Sequence, residues 1–311
     1  GGVLAGGPLI ATATAFVSNR VVVTGSYTED DSLHIGGGAM MVAYLGGESC
    51  GTREYGGTRC TNCTLTNNSV LSNSSVEGSS SYPALARGGG VMVTSGNFIL
   101  PNSLTMDVVF DGGAMVSNSA EEGGALALPV SVMDATTLGE CVSNPPTWAV
   151  RLVGVTIDGN RAVKAGGGLL LEGSVCTIVD LEDVVLTNNN VSTALGGGVA
   201  LRAVKAASAA SSTQCDWQLP QLTILRGSIS DNIASAGGGI FVSGVPSVGL
   251  RDCGNDWLTN PATSTFSMNG TTLSRNVAMD DSETCETAFP GRGGGLLVFG
   301  LPIFAALALS V

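Results

Sequence analysis

The stretch MVSNSAEEGGALAL, from Met115 to Leu128, contains both motifs that decide the fold of this chain. The first motif is an apolar residue, two intervening residues, asparagine, any residue, and then alanine or valine. The second is a glycine tract with an apolar run behind it. A fixed order of elements at a roughly fixed period is typical of repeat proteins. The first motif occurs seven times, at Phe16–Val21, Leu65–Val70, Met115–Ala120, Ile157–Ala162, Leu186–Val191, Ile229–Ala234 and Leu273–Ala278.

Short apolar runs follow glycine tracts that begin at Gly36, Gly88, Gly123, Gly166, Gly196, Gly237 and Gly293. At four to six residues these runs are too short for helices, and their valine, isoleucine and leucine content is typical of β-strands. An alternating stretch also precedes each asparagine, as in Val150–Ile157 and Leu222–Ile229, and predicts a strand buried on one face. No convincing amphipathic helix lies between them, so the sequence predicts an all-β fold.

The spacing between successive signature asparagines is 49, 50, 42, 29, 43 and 44 residues. The shortest spacing leaves room for two or three strands, and one such unit can bury its apolar face only against its neighbours. We therefore expect a single right-handed parallel β-helix of about seven coils over residues 1–311, with pectin-lyase-like architecture. The handedness follows from the general preference of parallel crossovers. Long insertions are expected near residues 46–64, 74–87, 129–147, 203–220, 244–264 and 279–292.

The repeated asparagines are expected to stack into an amide ladder along the β-helix, since such ladders satisfy each side chain from its neighbours. Asparagine also tolerates the left-handed conformation, so the alternative is that each one only forms a turn. The glycine tracts allow positive φ at a corner and close approach of neighbouring coils. The alanine or valine that follows is expected to point inward. The ladder residues are Asn19, Asn68, Asn118, Asn160, Asn189, Asn232 and Asn276.

An apolar residue followed by x-x-N, and then by G-G-[AG]-[ILV], resembles the FxxN and GGA[ILV] repeats of the chlamydial polymorphic outer membrane proteins. Met115–Leu128 is most similar, followed by ISDNIASAGGGIFV at Ile229–Val242. Similar repeats occur in large surface proteins of bacteria, algae and other protists. The resemblance covers essentially the whole chain and implies a β-helical passenger at the cell surface, often adhesive, with no catalytic residues. The chain departs from the pattern because phenylalanine opens the signature only at Phe16 and lysine is almost absent.

Composition excludes some classes of protein. The apolar fraction of 44% is normal, which argues against a disordered chain despite 45 glycines. Charged residues are only 12% of the chain and the net charge is −12, which argues against nucleic acid as a partner.

Both ends of the chain lie in mid-repeat, so we expect a segment of a longer protein. The apolar stretch Leu296–Val311 is short for a membrane span, and another β-helix coil is the preferred interpretation.

The cysteines are candidates for disulfide bonds, and their even number favours an oxidising compartment. Cys141 with Cys176 and Cys215 with Cys253 are plausible pairs between neighbouring coils, while Cys50 could pair with Cys60 or Cys63. Sequence alone does not fix the connectivity. The alternative for Cys60-Thr-Asn-Cys63 is half of a zinc or redox site. The eight cysteines are Cys50, Cys60, Cys63, Cys141, Cys176, Cys215, Cys253 and Cys285.

Two further sets of residues are candidates for function. N-x-[ST] sequons predict glycosylation if the source is eukaryotic, and three of them crowd into a stretch expected to include exposed loop. Tryptophans in the insertions could form an aromatic patch that stacks on sugars or anchors a partner, or could each cover a disulfide loop. The sequons are at Asn62, Asn67, Asn73, Asn190 and Asn269, and the tryptophans are Trp148, Trp217 and Trp257.

We find no catalytic constellation in the sequence. His34 is the only histidine, which excludes mechanisms that need several. Paired carboxylates can hydrolyse glycosides at the right separation, but these pairs lie at different places in their repeats and are interpreted as solvated loop charge. No cofactor is expected, and calcium is possible but unsupported. The pairs are Asp30 with Asp31, Glu121 with Glu122, Asp180 with Glu182 and Asp183, and Asp280 with Asp281.

The sequence therefore predicts a non-enzymatic, extracellular scaffold or adhesin. It would be a β-helix building block of a large surface protein or of a filament in a hair, wall or surface layer. Expected partners are other protein chains or copies of itself, with glycans as a further candidate. Membrane contact is expected only through other regions or the apolar C-terminal stretch. The alternative is a polysaccharide lyase or glycoside hydrolase on a β-helix, which should gather acidic and basic side chains in one groove across adjacent coils.

Overall fold

A computed structural model describes residues 2–5, 9–23, 35–43, 57–72, 86–94, 106–129, 148–173, 177–192, 195–205, 217–243, 266–279, 293–299 and 307–310. Within these ranges the chain is all-β, with no helix, and its strands form three sheets that we name A, B and C. Sheet A contains β1 (Val3–Ala5), β6 (Met40–Ala43), β10 (Val91–Thr94), β13 (Leu126–Leu128), β17 (Leu169–Gly173), β21 (Val199–Lys205), β26 (Ile240–Ser243) and β30 (Leu296–Phe299), with β22 (Trp217–Gln218) beside β21.

Sheet B is the largest and sheet C has the shortest strands. Sheet B contains β2 (Leu9–Thr12), β3 (Ala15–Val17), β7 (Thr58–Thr66), β11 (Met106–Val116), β14 (Trp148–Val153), β15 (Thr156–Asp158), β18 (Thr177–Glu182), β19 (Val185–Thr187), β23 (Gln221–Leu225), β24 (Ser228–Ser230), β27 (Phe266–Asn269), β28 (Thr272–Ser274) and β31 (Leu307–Ser310). Sheet C contains β4 (Arg20–Val23), β5 (Ile35–Gly36), β8 (Ser69–Ser72), β9 (Ala86–Arg87), β12 (Ser119–Glu122), β16 (Arg161–Ala165), β20 (Asn190–Val191), β25 (Ile233–Ala234) and β29 (Val277–Ala278).

The chain visits the three sheets in a constant order. From β13 in sheet A it enters β14 and β15 in sheet B, then β16 in sheet C, and returns to sheet A at β17. Neighbouring strands in each sheet are parallel, apart from the antiparallel pair β21–β22. This order of long parallel strands in stacked sheets is compatible with a β-helix or solenoid.

Equivalent positions of the repeated signature lie in register. Met115 pairs with Leu65 on one side and with Ile157 on the other. The apolar residues that open the signature therefore form one row, which is buried in the middle repeats and partly buried at Phe16 and Leu273. They belong to the main core cluster, together with inward-facing residues of sheet A such as Leu169 and Leu171. The alanine or valine after the asparagine is buried as expected in the middle repeats, where Ala162, Val191 and Ala234 form a separate small cluster.

The glycine tract has two separate physical roles. Gly166, the first of its tract, has a φ of 63°, a conformation that residues with a Cβ rarely adopt. Gly167 has no positive φ, but a Cβ at this position would lie 2.5 Å from the carbonyl oxygen of Gly197 in the next repeat. The tract therefore lets the chain turn from sheet C into sheet A and brings successive repeats into backbone contact.

The left-handed turn next to each ladder asparagine differs from expectation. The residue in this conformation is the one before the asparagine, not the asparagine itself. The asparagine side chain is held inside and its predecessor makes the turn, so most of these predecessors have exposed side chains. The seven turn residues are Ser18, Asn67, Ser117, Gly159, Asn188, Asp231 and Arg275, with φ between 51° and 63°.

Three of the predicted insertions extend too far. Residues 58–64 of the 46–64 insertion lie in β7, residues 86–87 of the 74–87 insertion form β9, and the 203–220 insertion overlaps β21 and β22. These segments carry the polar outer face of a strand, which resembles loop sequence when read without its register.

The long strand expected at Val150–Ile157 is instead two strands, β14 and β15, separated by a turn at Gly154 with φ 61°.

The apolar C-terminal stretch contains two strands. β30 pairs with β26 and β31 pairs with β27, both in parallel, so the pattern of the earlier repeats continues through them. Among the described residues, no helix has the length and apolar character needed to cross a membrane.

Candidate functional site

A continuous amide ladder runs through the described repeats and involves all seven signature asparagines. Each of the first six asparagines donates its backbone N–H and its Nδ2 to the Oδ1 of the asparagine in the next repeat. For Asn118 and Asn160 these distances are 2.9 and 3.0 Å, and for Asn160 and Asn189 they are 3.0 and 2.9 Å. The same pattern continues from Asn19 to Asn68 and from Asn232 to Asn276.

The interior ladder asparagines are buried and their side-chain groups are satisfied. Asn160 is fully buried, and its Nδ2 also donates to the backbone oxygen of Met115 at 2.9 Å. Buried amides are tolerated only when they are hydrogen-bonded, and here one residue type at one repeat position achieves this for every repeat. The ladder is therefore structural, and its five interior amides have no remaining side-chain proton for a ligand.

A closed ring of four buried charges is the main feature that the sequence did not predict. Glu122 accepts from Arg87 Nε at 2.8 Å and from Arg202 Nη2 at 3.0 Å. Glu172 contacts Arg87 Nη1 at 3.4 Å and also accepts from Arg202 Nη2. The side chains are only 4–11% exposed, and the two positive and two negative charges cancel. The ring residues come from β9, β12, β17 and β21, so the ring joins four successive repeats.

The electrostatics of the ring keep Glu122 ionised. Burial raises the pKa of this carboxyl group, but the guanidinium groups of Arg202 and Arg87, with a smaller contribution from Lys164, outweigh burial and lower the pKa to about 2. Burial alone would lower the pKa of Arg202, and the carboxylates of Glu172 and Glu122 raise it instead. Glu122 and Arg202 are therefore held as ions.

The interpretation of Glu121 and Glu122 as solvated loop charge was wrong for Glu122. It lies in β12, aligned with Arg87 and Ala165 in neighbouring strands. Glu172 is aligned with Arg202 in the same way. Opposite charges at aligned positions of successive repeats were a signal in the sequence, and reading it required the repeats to be superposed first.

Exposed ion pairs lie at the corners of the later repeats. Arg226 Nε donates to Asp183 at 2.9 Å, and Arg275 Nη2 donates to Asp231 at 2.7 Å. These hydrogen bonds lower the pKa of both aspartates. Because the pairs are open to water and salt, they contribute little to stability. The carboxylates of Glu182 and Asp183 are thus both engaged by the guanidinium group of Arg226.

Cys60 and Cys63 form a disulfide with each other, so the expected pairing of Cys50 with either of them was wrong. They lie three residues apart in β7, on either side of the left-handed residue Asn62, which turns both sulfurs inward. Both cysteines are buried, at the position where other repeats place an apolar pair such as Leu152 and Val155. A disulfide there excludes the zinc interpretation of this motif. The other cysteines, Cys50, Cys141, Cys176, Cys215, Cys253 and Cys285, lie outside the described residues.

The remaining candidates are only partly described. Asn62, Asn67 and Asn269 are exposed, Asn190 is half-buried, and Asn73 lies outside the described ranges. Trp148 and Trp217 belong to strands β14 and β22 and not to loops, but their side chains, and the whole of Trp257, lie outside the described part of the chain. The proposed aromatic patch therefore stays a prediction. His34, Asp30, Asp31, Asp280 and Asp281 lie outside the described ranges as well.

A shallow cavity of about 600 Å³ lies on the outer face of sheet C. Its lining includes Leu71, Glu121, Arg161, Val163 and Asn190. Across the described parts of the chain, no three histidine, cysteine, aspartate or glutamate side chains are grouped as metal ligands. The cavity offers a mixed apolar and polar surface without a cluster of carboxylates.

Comparison of the chain with protein-family models, with curated proteins and with solved structures gives no match.

Proposed function

We propose that the described strands form a closed, right-handed parallel β-helix of about seven coils, with pectin-lyase-like architecture. The constant order of sheets A, B and C and the seven-membered ladder support this arrangement. The preference of parallel crossovers supports the right hand. The domain is a single solenoid, with its long insertions placed between strands.

On this fold we propose a non-enzymatic, extracellular scaffold or adhesin that serves as a building block of a surface protein or filament. The observation that carries the proposal is the amide ladder. The ladder asparagines are the most regularly repeated polar side chains, and their hydrogen bonds join one repeat to the next. Residues of the variable segments between strands then bind a partner chain or a glycan. The buried Cys60–Cys63 disulfide supports an oxidising compartment.

The alternative of a polysaccharide lyase or hydrolase has one observation in its favour, since the charge ring gathers acidic and basic groups across adjacent repeats. However, glycoside hydrolysis needs one carboxylic acid with a raised pKa. The pKa of Glu122 is lowered to about 2, and both carboxylates are buried against guanidinium groups. The ring is therefore better suited to linking strands than to transferring protons.

The scaffold proposal is tested by location and by assembly. Antibodies raised against residues 1–311 should label intact, unpermeabilised cells of the source organism, and the native protein should be recovered from its surface fraction. Labelling that requires permeabilised cells would overturn the extracellular assignment. Analytical ultracentrifugation of that fraction should show the protein in assemblies larger than one chain, and a purely monomeric native protein would contradict the building-block role.

The enzyme alternative is tested on the folded chain with acidic and neutral polysaccharides. We expect no release of reducing ends and no unsaturated products by ultraviolet absorbance. Turnover that is abolished by Glu122→Gln, in a variant that keeps its far-ultraviolet circular dichroism, would replace the scaffold proposal with a hydrolase or lyase.

A further inference from the structure

The turn before the ladder presents one sequon in a distinctive way. Asn67 is exposed, has a φ of 56°, and lies between β7 and β8. The next residue, Asn68, is fully buried in the ladder, which fixes the backbone on both sides of it. The side chains of Asn67 and of Ser69, the hydroxyl residue of the sequon, form no hydrogen bond with any residue that the structure describes.

The other described sequons lack this combination. At Asn269 the required hydroxyl, that of Thr271, is turned inward and donates to the backbone oxygen of Ile224 at 3.2 Å. The amide of Asn62 is exposed as well, but Asn62 lies inside strand β7, and its neighbour Cys63 is held in a disulfide. Asn190 is half-buried in strand β20 and lines the cavity on sheet C. Among the four described sequons, only that of Asn67 has its asparagine at a turn between two strands, with an exposed amide and an unengaged hydroxyl on either side of a buried ladder residue.

We propose that Asn67 is an N-glycosylation site, the one that the described fold accommodates best. The proposal rests on the extracellular function proposed above, since glycans are attached in the secretory pathway. The sugar donor is a lipid-linked oligosaccharyl diphosphate. A bond forms between Asn67 Nδ2 and C1 of the sugar, the bond from C1 to the diphosphate oxygen breaks, the amide loses one proton, and the lipid diphosphate leaves.

Folding then keeps this glycan in solvent without disturbing the ladder. The ladder uses the side chain of Asn68 and the backbone of its neighbours, and not the amide of Asn67. A bulky polar group on an exposed turn costs little, whereas the same group on a half-buried strand residue would have to displace its neighbours. The structure therefore separates a structural asparagine and a modified asparagine that are adjacent in sequence.

The test is secretion of the full 311-residue chain from a eukaryotic host, followed by enzymatic release of glycans and mass spectrometry with fragmentation that assigns the site. We expect Asn67 to be occupied in most secreted molecules. Asn67→Gln and Ser69→Ala should each abolish occupancy at this residue, and Ser69→Ala should leave the thermal unfolding midpoint of the deglycosylated protein unchanged. An unmodified Asn67 in secreted wild-type chain, folded by circular dichroism, would overturn the proposal.

A matched gain-of-function variant makes the test independent of the natural sequon. Ser117 occupies the same turn in the next repeat, with a φ of 55°, and is followed by ladder residue Asn118 and by Ser119. Ser117→Asn should therefore add a glycan at residue 117, and failure to do so in a folded chain would show that the turn does not present an acceptor. Because the host supplies the secretory route, these results do not depend on native location. If antibodies do not label the native cell surface but Asn67 carries a glycan in the secreted chain, the proposed location is wrong and the glycosylation proposal stands.

Discussion

At the scale of single residues, the ladder shows how one side chain can determine a repeat. Asn160 accepts from Asn118 and donates to Asn189 and to the backbone of Met115, all inside the protein. Its predecessor Gly159 makes the turn and its successor Arg161 is exposed. The three residues are adjacent, but each has a different environment, so substitutions there should have very different effects.

Asn160→Ala should lower the free energy of unfolding by about 3–5 kcal/mol, because both donors of Asn118 lose their acceptor in a buried site and the backbone oxygen of Met115 loses the Nδ2 donor. Asn189 Oδ1 keeps only the backbone N–H of residue 160. Arg161→Ala, one residue away and exposed, is the matched control and should cost about 0.5 kcal/mol or less. Urea unfolding followed by circular dichroism measures both. Equal effects for the two variants would contradict a structural role for the ladder.

Two glycines separate the cost of strain from the cost of close approach. Gly154 has a φ of 61°, and a Cβ added there would meet no atom within 4 Å, so Gly154→Ala should cost only about 1–2 kcal/mol from the left-handed backbone. Gly167→Ala should cost more, since its Cβ would meet backbone atoms of the next repeat at 2.5 Å. The comparison uses the thermal unfolding midpoint, and a larger loss for Gly154→Ala would show that close backbone approach is not limiting.

At the scale of strands, the charge ring adds a connection that the ladder does not provide. The ladder runs along one corner, whereas the ring joins the ends of β9 and β12 in sheet C to β17 and β21 in sheet A. Removing one partner of a buried ion pair leaves an uncompensated charge, which costs more than the pair itself contributes. The ring therefore makes the relative position of these strands sensitive to a single side chain.

Glu122→Gln should destabilise the protein by about 3–5 kcal/mol near neutral pH, by leaving two guanidinium groups short of a charge. The pKa of Glu122 is lowered from 4.5 to about 2, so its ionisation stabilises the fold fully above pH 4.5, and this contribution is lost as pH falls toward 2. Unfolding free energies of the wild type should fall across this range, and those of the variant should fall less.

The control for this prediction is Glu121→Gln, the adjacent residue, whose carboxylate lies 4.0 Å from Lys164 and is more exposed than that of Glu122. It should cost about 1 kcal/mol or less and keep the acid sensitivity of the wild type. If both variants show the same dependence on pH, other carboxylates cause the acid sensitivity.

At the scale of the whole molecule, the sequence predicted the class of fold because both motifs act locally. Glycine tracts, aliphatic runs and the asparagine period report on one repeat at a time, and stacking follows from them. The charge ring and the Cys60–Cys63 pair could not be predicted in the same way. Glu122 interacts with Arg202, 80 residues away, and the disulfide depends on the turn at Asn62, which resembles any other polar residue in sequence.

Hydrogen exchange should show a gradient along the stack. In the middle, Leu169, Leu170 and Leu171 are fully buried between strands on both sides, and their amides should exchange slowest. In the first repeat, Leu9 and Ala11 are only partly buried, and within the described residues β2 pairs with β7 alone. Their amides should exchange about tenfold faster or more. Uniform protection along the chain would indicate one cooperative unit and not a series of repeats.

The direction of the ladder has a consequence for how such a protein can change in length. Each interior ladder amide donates toward the later repeat and accepts from the earlier one, so the interior repeats present the same pair of complementary faces. A complete unit can therefore be duplicated or deleted and the hydrogen bonds re-form across the junction. Gaining or losing a single residue within a strand would instead turn the asparagine outward. Selection can thus vary the number of units freely while holding the interior of each one constant.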